Sequence, residues 1–276
     1  MTAVALALAA SLSWGIADFV GPVKGRVLGP LRVLMLGQAA GLATIALLVA
    51  FRGVGWPGNE VLFAVPAACS GTLGLYAFYR GISAGAISIV APVAGASALV
   101  PVVIGIATGE RPSGLQLGGI GAALVGVALA AREPGETDRR VAAGVGLALV
   151  AAVGFGFYFP PMHEAGTADP WWAALLFRCT STSIIATAVL ARRTTLRVGP
   201  ADAAVVAAVG IGDMLGNLLF AAAAGHGFVS VTSVLASLYP IVTIALARAV
   251  LRERVARVQY AGIALTLAGV ALISAG

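Results

Sequence analysis

The sequence predicts an all-α integral membrane protein in which ten transmembrane helices form two inverted five-helix repeats. Three observations lead to this fold class: the composition, the number of long apolar segments and an internal repeat. The chain has 276 residues, of which 60% are hydrophobic and only 10% are charged, and its mean hydropathy is +1.00. A soluble domain carries about 25% charged residues. This composition cannot cover a water-facing surface, so most of the exterior must face lipid.

Charge clusters and proline or glycine breaks divide the chain into ten apolar segments of about 20 residues, each long enough to cross a hydrocarbon core of about 30 Å as a helix. Residues 1–21 lack a basic leader region, so the first segment is predicted to be a membrane span rather than a signal peptide. The predicted spans, numbered 1 to 10 in chain order, are 3–21, 31–51, 61–80, 86–107, 113–131, 141–161, 171–191, 201–223, 228–250 and 256–275.

The internal repeat is clearest at the end of each half. Residues 110–129 and 253–272 are identical at ten of twenty positions, with a constant offset of 143. A long-period repeat indicates two copies of one structural unit, and many membrane transporters are built from duplicated halves. We predict a first repeat over 1–133 and a second over 140–276, joined by a polar linker at 132–140. Because each copy holds an odd number of spans, the second copy must cross the membrane in the opposite sense.

The distribution of basic residues predicts the orientation. The gaps after odd-numbered spans, with the adjoining helix ends, hold fourteen Lys and Arg residues, whereas the other side holds only Arg52 and Arg111. Basic loops stay in the cytoplasm, so both termini are predicted to be extracytoplasmic in a cell (inner) membrane protein. The same distribution explains the net charge of +6 without a nucleic-acid partner. The predicted partners are the lipid bilayer and a small-molecule solute, and the protein is predicted to be a monomer or a homodimer.

Short motifs also occur at equivalent places in the two halves. They are Ser13-Trp14-Gly15 in span 1, Pro101 and Pro240 in spans 4 and 9, Gly109-Glu110-Arg111 and Arg252-Glu253-Arg254 in the turns that follow, and the Gln-x-x-Gly tails that begin at Gln116 and Gln259. In these motifs the chain resembles the drug/metabolite transporter superfamily, in its ten-helix branch with two EamA-type repeats. The resemblance covers nearly the whole chain and implies a transporter, since relatives carry amino acids, sugars, nucleotides, drugs and other metabolites.

Charged residues inside the apolar segments are the first candidates for a solute site. A charge at the centre of a bilayer costs about 2.5–3.5 kcal/mol on insertion scales, so each one requires a reason. Arg178 lies in span 7, Asp213 lies in span 8 one turn before Asn217, and Asp18 lies toward the cytoplasmic end of span 1. Arg178 and Asp213 either face a central cavity, where Asp213 could carry a coupling proton, or form an ion pair between their helices. Asp18 either belongs to that cavity or lies near the membrane interface.

Aromatic residues are the second set of candidates. Resemblance to the superfamily implies a central site built from spans 1, 3, 6 and 9, and ring faces there could bind an organic solute. The alternative is that these rings face lipid or form interfacial belts. The aromatic candidates are Trp14, Tyr76, Tyr79, Phe155, Tyr158 and Tyr239.

Two other functions compete with transport. Residues 210–213 (Gly-Ile-Gly-Asp) match the GxGD pattern of intramembrane aspartyl proteases, whose chemistry requires a second carboxylate close by. A non-transporting membrane scaffold would need only a sealed interior. No Walker A sequence occurs, and His163, Glu164 and His226 lack metal-ligand spacing, so neither a cofactor nor a metal site is predicted. We therefore predict a secondary transporter, not an enzyme, that moves a small organic solute such as an amino acid, a sugar or another metabolite by alternating access at a midplane site.

Overall fold

The computed structural model describes residues 1–84, 87–130, 139–251 and 257–275. Regular secondary structure in these ranges is entirely helical, and two short 3₁₀ segments, Asn59–Phe63 and Ala96–Ala98, accompany the α-helices. The helices are α1 (Thr2–Leu28), α2 (Pro30–Arg52), α3 (Ala64–Ala84), α4 (Ile87–Gly95), α5 (Leu99–Ala107), α6 (Gly114–Ala130), α7 (Arg139–Ala168), α8 (Pro170–Ala191), α9 (Pro200–Ala224), α10 (Val229–Ala236), α11 (Tyr239–Leu251) and α12 (Arg257–Ala275).

Three of the helices begin at a proline. Pro30, Pro170 and Pro200 each occupy the first turn, where the missing N–H has no intrahelical acceptor in any case. Only Gly29 separates α1 from α2, and its φ of 92° is a conformation that favours glycine. At the start of α8 the Asp169 carboxylate accepts hydrogen bonds from the next two free backbone N–H groups, so the helix has a side-chain N-cap.

Some predicted boundaries were wrong. Helix α1 runs to Leu28 rather than to 21, and α7 runs to Ala168 rather than to 161. Pro160 and Pro161 therefore lie inside α7, as neighbouring helices in a bundle allow, and His163, predicted to be in a loop, lies in the helix. Most of the predicted linker at 132–140, the Arg252-Glu253-Arg254 motif and residue 276 lie outside the described residues.

Predicted spans 4 and 9 are each divided into two helices. The Ala96–Ala98 3₁₀ turn separates α4 from α5, and a turn at residues 237–238 separates α10 from α11. Pro240 lies in the first turn of α11, so its missing donor falls at the break rather than within a continuous helix. The two halves thus interrupt the same predicted span.

Seven helical segments in the described ranges are long and apolar enough to cross a membrane. The count of ten spans stays a prediction, because the apolar helices at Val93–Ala107 and Gly114–Gly126 are shorter. The seven segments are Thr2–Leu28, Pro30–Arg52, Asn59–Ser83, Gly146–Ala168, Pro170–Ala191, Pro200–Ala224 and Val229–Leu251.

The helices pair between the two halves rather than within them. Helix α1 packs on α9, α3 packs on α7, α2 packs on α8, and α6 packs on α12. The first and third predicted spans of one half thus contact the third and first of the other, and the second spans contact each other. Helices α2 and α8 run antiparallel, because Arg52 at the end of α2 contacts Asp169 at the start of α8, and Arg32 near the start of α2 contacts Thr195 beyond the end of α8.

Candidate functional site

A cavity lies in the middle of the bundle, where helices from both halves converge. Its free space is about 50 Å³, more than the roughly 10–15 Å³ that one water molecule needs. Helices α1, α2, α3, α7, α8, α9 and α11 contribute its wall. The lining residues are Trp14, Asp18, Gln38, Gly71, Thr72, Leu75, Phe155, Tyr158, Phe159, Phe177, Asp213, Asn217 and Tyr239.

An ion pair between Arg178 and Asp213 lies beside this cavity. Arg178 is fully buried, and its guanidinium donates one hydrogen bond to the Asp213 carboxylate and another to Gln38 Oε1 at 2.6 Å. Ser181 Oγ also donates to Gln38 Oε1, at 2.8 Å. The pair therefore joins α8 to α9, and the glutamine joins both to α2.

Glycines of α2 make room for this ion pair. A Cβ atom at Gly41 would lie 3.4 Å from Arg178 Cζ and 2.8 Å from the Gly210 carbonyl oxygen. A Cβ atom at Gly37, one turn earlier, would lie 3.4 Å from Gly210 Cα. The Gly-Gln-x-x-Gly sequence of α2 thus lets the α9 backbone approach closely and directs Gln38 toward the guanidinium.

Asp18 lies against the same space and has a different environment. It is 6% exposed and forms no hydrogen bond or ion pair within the described part of the chain. Its carboxylate lines the central cavity and a smaller side cavity of about 10 Å³, which also contacts Tyr79, Arg178 and Asp213. Asp18 therefore lies in the cavity wall.

Aromatic rings form much of the cavity wall. Trp14 packs edge-on against Tyr158 and Phe159, with ring centroids 5.9 and 6.2 Å apart. Phe155 packs edge-on against Tyr239 with centroids 6.2 Å apart. Such pairs hold the rings in fixed positions. Three wall residues also bring buried hydroxyl groups that have no hydrogen-bonding partner among the described residues: Thr72, Tyr158 and Tyr239.

Equivalent contacts place one ring from each half in this wall. A Cβ atom at Gly216 would lie 2.5 Å from Trp14 Cδ1, and a Cβ atom at Gly74 would lie 2.9 Å from Phe155 Cδ1. Each aromatic residue therefore packs against a glycine of a helix from the other half.

The structure brings nine of the ten predicted site residues together. Seven line the central cavity: Trp14, Asp18, Phe155, Tyr158, Asp213, Asn217 and Tyr239. Arg178 and Tyr79 line the adjoining side cavity. Tyr76 lines neither cavity, and its hydroxyl instead accepts a hydrogen bond from Arg80 at 3.3 Å. A role for Tyr76 in a solute site stays a prediction.

Sequence reasoning missed several wall residues. Gln38 could have been predicted, because a polar residue between two glycines in an apolar segment indicates a buried polar contact. Thr72, Phe159 and Phe177 offered none, since the sequence holds many similar residues in other spans.

The EamA-like transporter family matches residues 1–132 and 142–275, which together are nearly the whole sequence. The chain belongs to the EamA-like transporter family. This EamA-like protein is thus a multi-pass membrane transporter of the drug/metabolite transporter superfamily. No curated protein matches its sequence. One protein of known crystal structure is similar in fold, with a TM-score of 0.80, 18% sequence identity, and coverage of 99% of this chain and 98% of that chain.

Polar contacts also join the helix ends of this EamA-like transporter, away from the cavity. Arg52 Nη1 lies 3.1 Å from Asp169 Oδ1 at one end of the α2–α8 pair. Burial alone would raise the pKa of Asp169, but the hydrogen bonds from Arg52 and from the backbone N–H groups of Trp172 and Trp171, with the positive charge of Arg52, hold the pKa below the ordinary aspartate value. At the opposite end, Arg32 Nε donates to the Thr195 carbonyl oxygen at 2.7 Å.

Proposed function

We propose that this protein is a secondary transporter that moves a small organic solute across the cytoplasmic membrane by alternating access. The observation that carries the proposal is the central cavity, whose wall combines buried charged, polar and aromatic residues from both halves. Charged residues within membrane spans mark solute and ion pathways, and transporters bind their solutes between repeats.

Inverted repeats are part of this proposal. Helices α2 and α8 are the second helices of the two matched segments, and they run antiparallel. Helices α1 and α7 are the first spans of their halves, and α3 and α9 are the third. The contacts α1–α9 and α3–α7 are therefore equivalent if a two-fold axis relates the halves. Five spans in each half, with both termini outside the cytoplasm, would produce this arrangement and would agree with the distribution of basic residues.

The size of the cavity supports a conformational cycle. Its 50 Å³ is far below the roughly 300 Å³ at which pockets for organic ligands begin. A metabolite would therefore need helices to move apart before it could enter. Polar contacts at the two opposite ends of α2 and α8, Arg52 with Asp169 and Arg32 with Thr195, are suited to opening one at a time.

Proton coupling also belongs to the proposal. Among the described residues, Asp18 and Asp213 are the two carboxylates in the cavity wall. Arg178 neutralises Asp213, whereas Asp18 has no partner in the described residues, so Asp18 is the better candidate for a transported proton.

Asp18 and Asp213 line the same cavity, as an intramembrane aspartyl protease would require. However, such a dyad shares one proton between two carboxylates, whereas here the Asp213 carboxylate accepts a hydrogen bond from the Arg178 guanidinium. This contact favours transport over proteolysis.

The proposal can be tested with a mixture of solutes instead of a single chosen one. Purified protein in proteoliposomes is incubated with a mixture of small metabolites, and the vesicle contents are identified by mass spectrometry. We expect at least one solute to accumulate beyond the level in empty vesicles. Asp213→Asn and Arg178→Gln should abolish that accumulation, because both break the ion pair at the cavity.

A matched control is Cys69→Ser with Cys179→Ser, since both cysteines lie on the exposed exterior and outside the cavity wall. Its accumulation should equal that of the unmodified protein. Unchanged flux in Asp213→Asn would remove the ion pair from the mechanism, and cleavage of a membrane peptide by the unmodified protein but not by Asp213→Asn would favour the protease.

A further inference from the structure

We infer that Asp18 binds the positively charged group of the solute, and that the solute is a compact organic amine cation rather than an anion or an amino acid-like zwitterion. The inference rests on the proposed transport function and adds the chemical class of the solute.

The charges around the cavities leave one carboxylate uncompensated. Three charged residues line the central and side cavities: Asp18, Arg178 and Asp213. Arg178 and Asp213 form an ion pair, so their charges cancel. Among the described residues, Asp18 is the cavity carboxylate without a counter-ion, and either a proton or a solute cation would balance it.

Asp18 is buried in the wall of the cavity. It is nine-tenths buried, and no donor or cation in the described part of the chain pairs with it. Burying an ionised carboxylate without a partner is costly, so a cation that enters the cavity lowers the free energy of the site.

The surrounding rings suit the same ligand. Trp14 lies one helical turn before Asp18 and lines the same cavity, and Tyr239 lines it from α11. The faces of Trp and Tyr attract ammonium groups, most strongly where water is excluded. A carboxylate and aromatic faces together favour an ammonium ion over a neutral solute.

Unpartnered hydroxyl groups indicate that the occupant also has hydrogen-bonding groups. Thr72 Oγ1, Tyr158 Oη and Tyr239 Oη are buried, lack partners among the described residues, and belong to residues of the cavity wall. Such groups are costly unless they find a partner. The ammonium N–H groups or a hydroxyl group of the solute would satisfy them.

The site offers little to a carboxylate. Both terminal nitrogens of Arg178 are engaged, one by Asp213 and one by Gln38, so among the described residues only its buried Nε lacks a partner. Arg178 lines the side cavity, whereas the central cavity presents Asp18 and Asp213. An anionic group there would meet the carboxyl group of Asp18, while the charge of Arg178 is already balanced by Asp213.

Two matched sets of probes test the inference by binding to purified protein at neutral pH, measured by calorimetry and by thermal shift. The aromatic set is tyramine, tyrosine and 3-(4-hydroxyphenyl)propanoate, and the small set is ethanolamine, glycine and glycolate. Within each set the body is similar and the charge differs. We expect the amine of at least one set to bind about tenfold or more tighter than its zwitterion and its anion.

Asp18→Asn should weaken amine binding by at least about tenfold, whereas Asp18→Glu should retain it. Asp202→Asn is the matched control, because Asp202 is paired with Lys24 away from both cavities. Thermal unfolding of each variant without ligand shows whether it is folded, and the Glu variant keeps the test informative if the Asn variant is not.

Binding of a zwitterion or an anion as tightly as the amine would overturn the inference and leave the transporter proposal standing, since that proposal does not depend on solute charge. Failure of both amines to bind at millimolar concentration would overturn it as well. Amine binding that depends on Asp18, without flux of any solute, would instead support the inference and contradict the proposed transport.

Discussion

Replacing Arg178 alone should destabilise the protein more than replacing Arg178 and Asp213 together. In Arg178→Met, the Asp213 carboxylate and Gln38 Oε1 lose their guanidinium donor, although their side chains remain largely buried. In the double variant Arg178→Met, Asp213→Leu, no unpaired charge remains beside Gln38, and Ser181 still donates to it.

The magnitude follows from the burial of the pair. Arg178 is 0% exposed, and the Asp213 side chain is 16% exposed. Breaking a buried pair by removing one partner costs about 3–5 kcal/mol, whereas replacing both partners by apolar residues is often neutral. We expect each single variant to lower the free energy of unfolding by about 3 kcal/mol and the double variant to lower it by about 1 kcal/mol.

The assay is a double-mutant cycle from equilibrium unfolding in SDS mixed micelles, followed by far-ultraviolet circular dichroism. Lys24→Met with Asp202→Leu is the matched control, because it makes the same replacements for a cation and an aspartate in a pair with side chains that are 33% and 36% exposed. Its coupling energy should stay below about 1 kcal/mol. A cost below about 1 kcal/mol for Arg178→Met, or single-variant costs that add in the double variant, would refute the reasoning.

Three further predictions concern other parts of the chain. The pKa of Asp169 in the folded protein is depressed, so its ionised form stabilises the protein at pH values above the unfolded pKa of about 3.9. This contribution disappears as the pH falls through the lower folded pKa. The difference in unfolding free energy between Asp169→Asn and the unmodified protein should therefore shrink over that range, and a difference independent of pH would contradict the ion pair. Gly74→Ala and Gly216→Ala should both destabilise the protein, because each new Cβ atom meets an aromatic ring. Gly118→Ala, where the new Cβ atom meets no neighbour, should stabilise the protein by up to about 1 kcal/mol. Thermal unfolding measures all three variants, and a stabilised Gly216→Ala protein would contradict the close packing. A periplasmic reporter fused after Gly276 should be active, and activity of a cytoplasmic reporter there would reverse the proposed orientation.

The charged part of the site could be predicted from the sequence because charge is conspicuous in an apolar chain. Arg178 and Asp213 were candidates on cost alone, and the structure places Asp213 in the cavity wall while it is bound to Arg178. The position of Asp18 was harder to predict, because span 1 was predicted to end at residue 21 and α1 ends seven residues later, at Leu28. The early boundary placed Asp18 close to the end of the span.

The aromatic residues of the site were harder to predict, because the choice among them depends on which face of each helix points to the cavity. A short apolar segment does not define that face. Thr72, Leu75 and Tyr79 follow one another at spacings of three and four and line the cavities from one face of α3. Tyr76 is rotated by about 100° from Leu75, so it leaves that face and contacts Arg80 instead. In a helix that is apolar on all sides, the sequence does not distinguish the face that lines the cavity from the other faces. Packing against α7 determines which face of α3 lines the cavity.

Gln38 and Arg178 occupy the same register in their two halves, eight residues after the proline that opens α2 and α8, and they hydrogen-bond to each other. A self-pairing of first halves would set glutamine against glutamine, which amide groups tolerate. A self-pairing of second halves would set two guanidinium ions against each other, each with its own Asp213 but without the glutamine oxygen that Arg178 now contacts. Joining two diverged copies in one polypeptide therefore gives the buried arginine a neutral acceptor at the position where identical copies would place a second arginine.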